Sequence, residues 1–219
     1  MSYINVKFKV LESVKDLSDK VSEIIESKIS TIFNRVGPIS EKELGNLLKN
    51  SLKSQPEYTS LKSGELRYNF GIANVSVVDT LIERLARSIT MKIATNKIAG
   101  NKIDASIIFS FFSEGELESI LGSDEANVFT AKGQVLPWLK WLLLEGNEPL
   151  ILTHRIYIEP RKTSRTGLAI MVPSKNGSWR VPPAYVGTES NNWVTRAISS
   201  AFDGNSVKQI LSKTFKKGI

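Results

Sequence analysis

A chain of 219 residues is long enough for one full core and short for two, and at this size it needs no covalent staples. With no cysteine and a single histidine, it has no disulfide, no thiolate chemistry and too few ligands for a histidine- or cysteine-based zinc site. The net charge of +7 is uneven: from Arg155 onward eleven cations stand against three anions, which favours polyanions or acidic partner surfaces, or simply solubility.

Residues 3–10 alternate in hydrophobicity, so Ile4, Val6, Phe8 and Val10 share one face of a short predicted strand. The start shows no signal-peptide pattern, and the expectation is synthesis in the cytoplasm. Residues 13–36 form the clearest helix, with Val14, Leu17, Val21, Ile24, Ile25, Ile32 and Phe33 at three- and four-residue steps. Gly37-Pro38 is expected to stop it, and the capping box Ser40/Glu43 to start a second helix carrying Leu44, Leu47, Leu48 and Leu52 up to Pro56. Residues 60–72 read as a loop with a short extended piece, and 80–88 as helix.

Residues 90–95 and 102–112 are predicted strands of a hairpin turning at Ala99-Gly100-Asn101, with Ile103, Ala105, Ile107, Phe109 and Phe111 on one face. Glu114–Leu121 reads as a short acidic helix, and 134–145, which holds Trp138 and Trp141, as a buried helix. Its apolar run is broken by Pro137 and Lys140 and falls short of the ~20 residues of a membrane span. Strands follow at 149–158 and 167–172 around the loop 159–166, then a helix at 191–202 and a basic amphipathic helix at 206–217 striped by Val207, Ile210, Leu211 and Phe215. Strands grouped in hairpins predict an α+β fold, an antiparallel sheet with a long N-terminal helix and further helices packed on it. No linker or repeat divides the chain, so residues 1–219 are expected as one domain with 203–219 as a basic helical extension.

Catalysis should leave a constellation, and none stands out. His154, the only histidine, sits alone on a predicted strand, so a Ser-His-Asp arrangement would have to pass through it. Glu114, Glu116 and Glu118, with Asp124 and Glu125, could hold Mg²⁺, which keeps open a hydrolase or nuclease acting through Glu116 or Asp124. They lie in a polar stretch better suited to a solvated helix face. No phosphate-binding glycine loop or nucleophile elbow occurs. The expectation is therefore no enzyme and no cofactor.

The basic stretch is the candidate contact: Arg155, Arg161, Lys162 and Arg165 on or between two strands, then Lys175 and Arg180. Such residues neutralise phosphates without reading sequence, and no interleaved aromatics suggest base stacking. A non-sequence-specific nucleic-acid-binding protein is thus one reading.

Two stretches carry a resemblance. Ser63-Gly64-Glu65-Leu66-Arg67-Tyr68-Asn69 resembles the small-Gly-x-Leu-Arg element that follows the long first helix in neck and tail-completion proteins of tailed bacteriophages. The run Val181-Pro182-Pro183-Ala184-Tyr185-Val186-Gly187-Thr188, with Asn192-Trp193-Val194-Thr195-Arg196-Ala197, is similar to the closing loop and helix of that family. The resemblance covers about a fifth of the chain; the segment 114–145 and the basic helix after Phe202 have no counterpart in it. It implies a structural virion protein, a ring-forming head–tail connector in the neck. Its implied partners are copies of itself, portal or adaptor proteins, and tail-terminator or tail-tube proteins, with non-specific DNA contact and no membrane. On that reading Trp179, Tyr185 and Trp193 are candidate subunit anchors, since aromatics carry much interface energy. Arg155, Arg161, Lys162, Arg165 and Lys175 would face the DNA lumen or a partner ring.

Overall fold

A computed structural model describes residues 14–97, 103–130, 133–158, 164, 166–167 and 169–218. The expected strand at 3–10 and the turn at 99–101 lie outside them. The elements are α1 (Val14–Ser54), α2 (Pro56–Ser63), α3 (Glu65–Asn69), α4 (Ser76–Arg87), β1 (Thr90–Lys97), β2 (Ile103–Ser110), α5 (Glu114–Leu121), β3 (Val128–Phe129), β4 (Val135–Leu136), α6 (Trp138–Leu143), β5 (Ile151–Ile158), β6 (Ala169–Trp179), α7 (Trp193–Ala201) and α8 (Gly204–Gly218). The class is α+β. Its strands form three separate antiparallel ribbons, β1–β2, β3–β4 and β5–β6, with helices forming most of the core.

The expected break at Gly37-Pro38 does not occur: α1 runs through Pro38 for 41 residues. Proline removes one helix hydrogen bond and costs about 3 kcal/mol in a helix interior. Packing on both sides outweighs that cost, because Val36, Leu44, Leu48 and Leu52 are all fully buried. Ser40, expected to cap a new helix, is buried instead and shares a 2.8 Å hydrogen bond with Thr214 of α8. The bond clasps the C-terminal helix to the middle of α1.

Residues 60–72 are also not a loop. They include the end of α2 and all of α3, joined at Gly64. A Cβ there would lie 2.8 Å from the Ser60 Cα, so only glycine lets the two helices meet this closely. The Ser60 hydroxyl accepts the Leu66 backbone N–H at 3.0 Å, and Leu66 is fully buried.

The amphipathic face of α4 (Val78, Leu81, Ile82, Leu85) lies against α1, where Gly45 admits the Ala86 carbonyl to within 2.7 Å of where a Cβ would be. The expected buried helix at 134–145 is shorter, α6 alone, preceded by β4. Trp138 is fully buried and its indole N–H donates to the Glu125 carbonyl at 3.0 Å. Phe70 packs against Trp138 and, edge-on, against Trp179, with ring centroids 5.9 and 5.8 Å away. Asn192 caps α7 through the Val194 and Thr195 N–H groups.

Candidate interaction surfaces

Three surfaces stand out. The first is the N-terminal half of α1. Leu17, Val21, Ile24 and Ile25 repeat at helical spacing, yet are 41–57% exposed. Their periodicity is that of a core helix, while the core itself begins near Val36. Covering side chains left half in water would contribute about 1 kcal/mol each.

The second surface is the β5–β6 ribbon. Its register runs Ile158↔Ala169 to His154↔Pro173, then jumps to Leu152↔Ser178, so Ser174–Gly177 oppose Thr153 alone. Thr153 adopts φ +61°, an unusual conformation for a β-branched residue that marks the irregularity. Lys175 stands in this excursion, exposed, and Arg155 is exposed on the regular part of β5. Arg161, Lys162 and Arg165, expected at the ribbon tip, lie outside the described residues. His154 is half-buried, its Nδ1 3.1 Å from the Leu152 carbonyl. No carboxylate–serine pair forms around it among the described hydrogen bonds.

The third surface is the outward face of α8. Lys208, Ser212 and Lys216 follow at four-residue steps with Lys213 beside them, all exposed, while Val207, Ile210 and Leu211 are half-buried and Thr214 is buried against α1. Among the described residues, part of the cationic surplus read from the sequence thus lies on the ribbon, at Arg155 and Lys175, and part on α8.

Two of the three aromatic candidates are buried inside the fold. Trp193 is fully buried, donating from its indole N–H to the Leu52 carbonyl at 3.0 Å, and Trp179 is 7% exposed between Phe70 and Trp141. Their area is used inside the chain and is not on offer to a neighbour. Tyr185 is half-buried in the turn Pro183–Tyr185 and packs against the core. Sequence reasoning could not separate a core tryptophan from an interface one, because both lie on apolar stripes.

The acidic residues do not converge. Glu116 closes a capping box on α5, accepting the Ser113 N–H at 2.7 Å, and these bonds hold its carboxyl below its usual value. Asp124 is exposed, and Glu125 lies 3.9 Å from Arg84. Among the described residues, no group of three histidine, cysteine or acidic side chains is placed to hold a metal ion. No helix of the described residues is long and apolar enough to cross a membrane.

Sequence reasoning missed two polar clusters. Asp79 on α4 receives Lys62 at 2.5 Å, Lys53 at 2.9 Å and the Tyr58 hydroxyl at 3.0 Å. Burial pushes its carboxyl up, but these partners outweigh that and lower it to about 2. Glu57, in the first turn of α2, is fully buried and ion-paired to Arg196 of α7, which also reaches Asn191 Oδ1 at 2.9 Å. The Glu57 Oε2 has no hydrogen-bond partner among the described residues. Both clusters join different helices, Glu57 and Arg196 being 139 residues apart, and no local pattern announces them.

The chain matches no family model, no curated protein and no solved structure.

Proposed function

We propose that this chain is a structural virion protein of a tailed phage, a ring-forming subunit of the head–tail neck that joins the portal side of the capsid to the tail around the DNA channel. The observation that carries the reading is the aliphatic stripe Leu17, Val21, Ile24 and Ile25, set for a macromolecular partner at one end of α1. The small-Gly-x-Leu-Arg element supports it, since Gly64 makes the close junction between α2 and α3 that follows the long helix, and Leu66 is buried there. Exposed Arg155, Lys175 and the α8 lysines suit a surface near a polyanion that needs no base reading. The partners on this reading are further copies, a portal or adaptor protein and a tail-terminator or tail-tube protein. Light-scattering mass in solution, together with detection of the chain in purified particles, tests it. A strict monomer absent from particles refutes it.

The α8 lysine row favours a second reading, a non-sequence-specific nucleic-acid-binding protein. It predicts binding to duplex DNA that weakens steeply with salt and weakens further when Lys208, Lys213 and Lys216 become Ser. No binding at low salt removes it.

A further inference from the structure

α8 and the end of β2 leave a groove between them. Its volume is about 490 Å³, and its floor is formed by Phe109, Phe111, Phe202, Val207 and Leu211, all half-buried. Phe111 meets Phe202 edge-on, with ring centroids 4.7 Å apart. Phe109, Phe111, Phe202 and Val207 pack against the core on one side and line the groove on the other.

Cations border this floor. Lys208 lines the groove itself, and Lys213 and Lys216 stand beside it on the outward surface of α8, all three exposed. Lys208 and Lys216 are eight residues apart, about 12 Å along the helix. Among the described residues no acidic side chain lines the groove or that outward surface. Asp203, the nearest acid in sequence, is engaged at the start of α8, where its Oδ1 accepts the Ser206 N–H at 2.6 Å.

Floor and rim together select the occupant. Nucleic acid suits the lysines but not the floor. A base laid there would press ring nitrogens and carbonyls against phenyl and aliphatic walls, at about 1–3 kcal/mol for each polar group left unpaired. A fatty acid suits the floor, but its single carboxylate meets one lysine and leaves the rest of a row about 12 Å long unmatched. A helix with an apolar stripe flanked by carboxylates satisfies both. Its leucine or phenylalanine side chains enter the groove, and acidic residues about seven or eight positions apart come level with Lys208 and Lys216.

We propose that the groove between α8 and the end of β2 docks an acidic amphipathic helix of a partner protein. Such docking goes beyond the neck reading and stands whether or not the chain belongs to a virion. It assigns to a protein the lysines that the second reading gives to DNA. The probe is a fluorescein-labelled model helix of about five turns, a leucine stripe flanked by glutamates, titrated with the full chain and read by fluorescence anisotropy. Two control helices carry serine for every leucine or lysine for every glutamate. The acidic leucine helix is expected to bind at least about 10-fold more tightly than either control. Lys208→Glu with Lys216→Glu alters only exposed side chains and keeps the fold. It should weaken the acidic helix about 10-fold and gain binding to the lysine helix. Leu211→Ser, in the groove wall, should weaken the acidic helix without changing the charge. No binding of the acidic helix at low salt, binding equal to the serine control, or binding unchanged by the charge reversal overturns the proposal. A thymidine oligonucleotide that binds more tightly than the acidic helix and loses that affinity in Leu211→Ser assigns the groove to nucleic acid, which overturns it as well.

Discussion

Replacing Arg196 with alanine isolates the energetics of the Glu57 pair. Glu57 is fully buried and Arg196 is its charged partner, 34% exposed at the side chain. Removing one member of a buried pair typically costs 3–5 kcal/mol, because the other charge is left uncompensated. Water can reach the Arg196 end, and the first turn of α2 places the Glu57 carboxylate where the helix dipole favours it. Both effects place the cost of Arg196→Ala near the lower bound, about 3 kcal/mol. For a chain of this length that lowers the melting temperature by roughly 6–12 °C. The second arm is Glu57→Gln in the Arg196→Ala background. It removes the stranded charge while keeping the shape, and should recover about half of the loss or more. Urea titration of the four proteins of the cycle reads both terms. If Arg196→Ala lies within about 1 kcal/mol of the parent, or the double variant is no more stable than Arg196→Ala, the reasoning fails.

Asp79 should couple stability to acid. Its carboxyl titrates at about 2 instead of 3.8, so its contribution is full above about pH 4 and is lost as pH falls through 2. The shift alone corresponds to ~2.4 kcal/mol, and 35% side-chain exposure reduces this to about 1 kcal/mol. Asp79→Asn should therefore cost about 1 kcal/mol in urea titrations near pH 6 and little near pH 2; an equal gap at both pH values contradicts it. Trp193→Phe, which removes the indole donor and leaves the Leu52 carbonyl only the longer 3.4 Å bond from the Gln55 N–H, should cost about 1–2 kcal/mol by thermal melting. Gly64→Ala forces a Cβ against the Ser60 Cα and should cost about 1–3 kcal/mol in the same assay. Val21→Ser with Ile24→Ser should leave the melting temperature nearly unchanged, since both sites are exposed, and lower the light-scattering mass at equal concentration.

The sequence was most readable where local pattern and tertiary packing agree. Residues 80–88 read as helix, Glu114–Leu121 as a short acidic helix and the alternation around Ile107 and Phe109 as a strand, and each of these elements forms. Reading failed where a distant contact overrode a local signal. Gly37-Pro38 is a strong stop, but burial of Val36 and Leu44 on either side carries the helix through it. Residues 60–72 read as a loop, yet Leu61, Leu66 and Phe70 are fully buried core residues on and beside two short helices. The basic stretch was partly legible: Arg155 and Lys175 share a ribbon, and α8 forms a second cationic face that only three dimensions separate from the first.

The unbroken passage of α1 through Pro38 has a mechanical consequence. With no N–H at position 38, the Asn34 carbonyl lacks its usual partner one turn later, and the rod is least stiff there. Inward of that point it is anchored by the Ser40–Thr214 clasp and the leucines of the core. Outward of it lies the greasy stripe. A bend at Pro38 would therefore re-aim the outer arm and leave the inner arm in place.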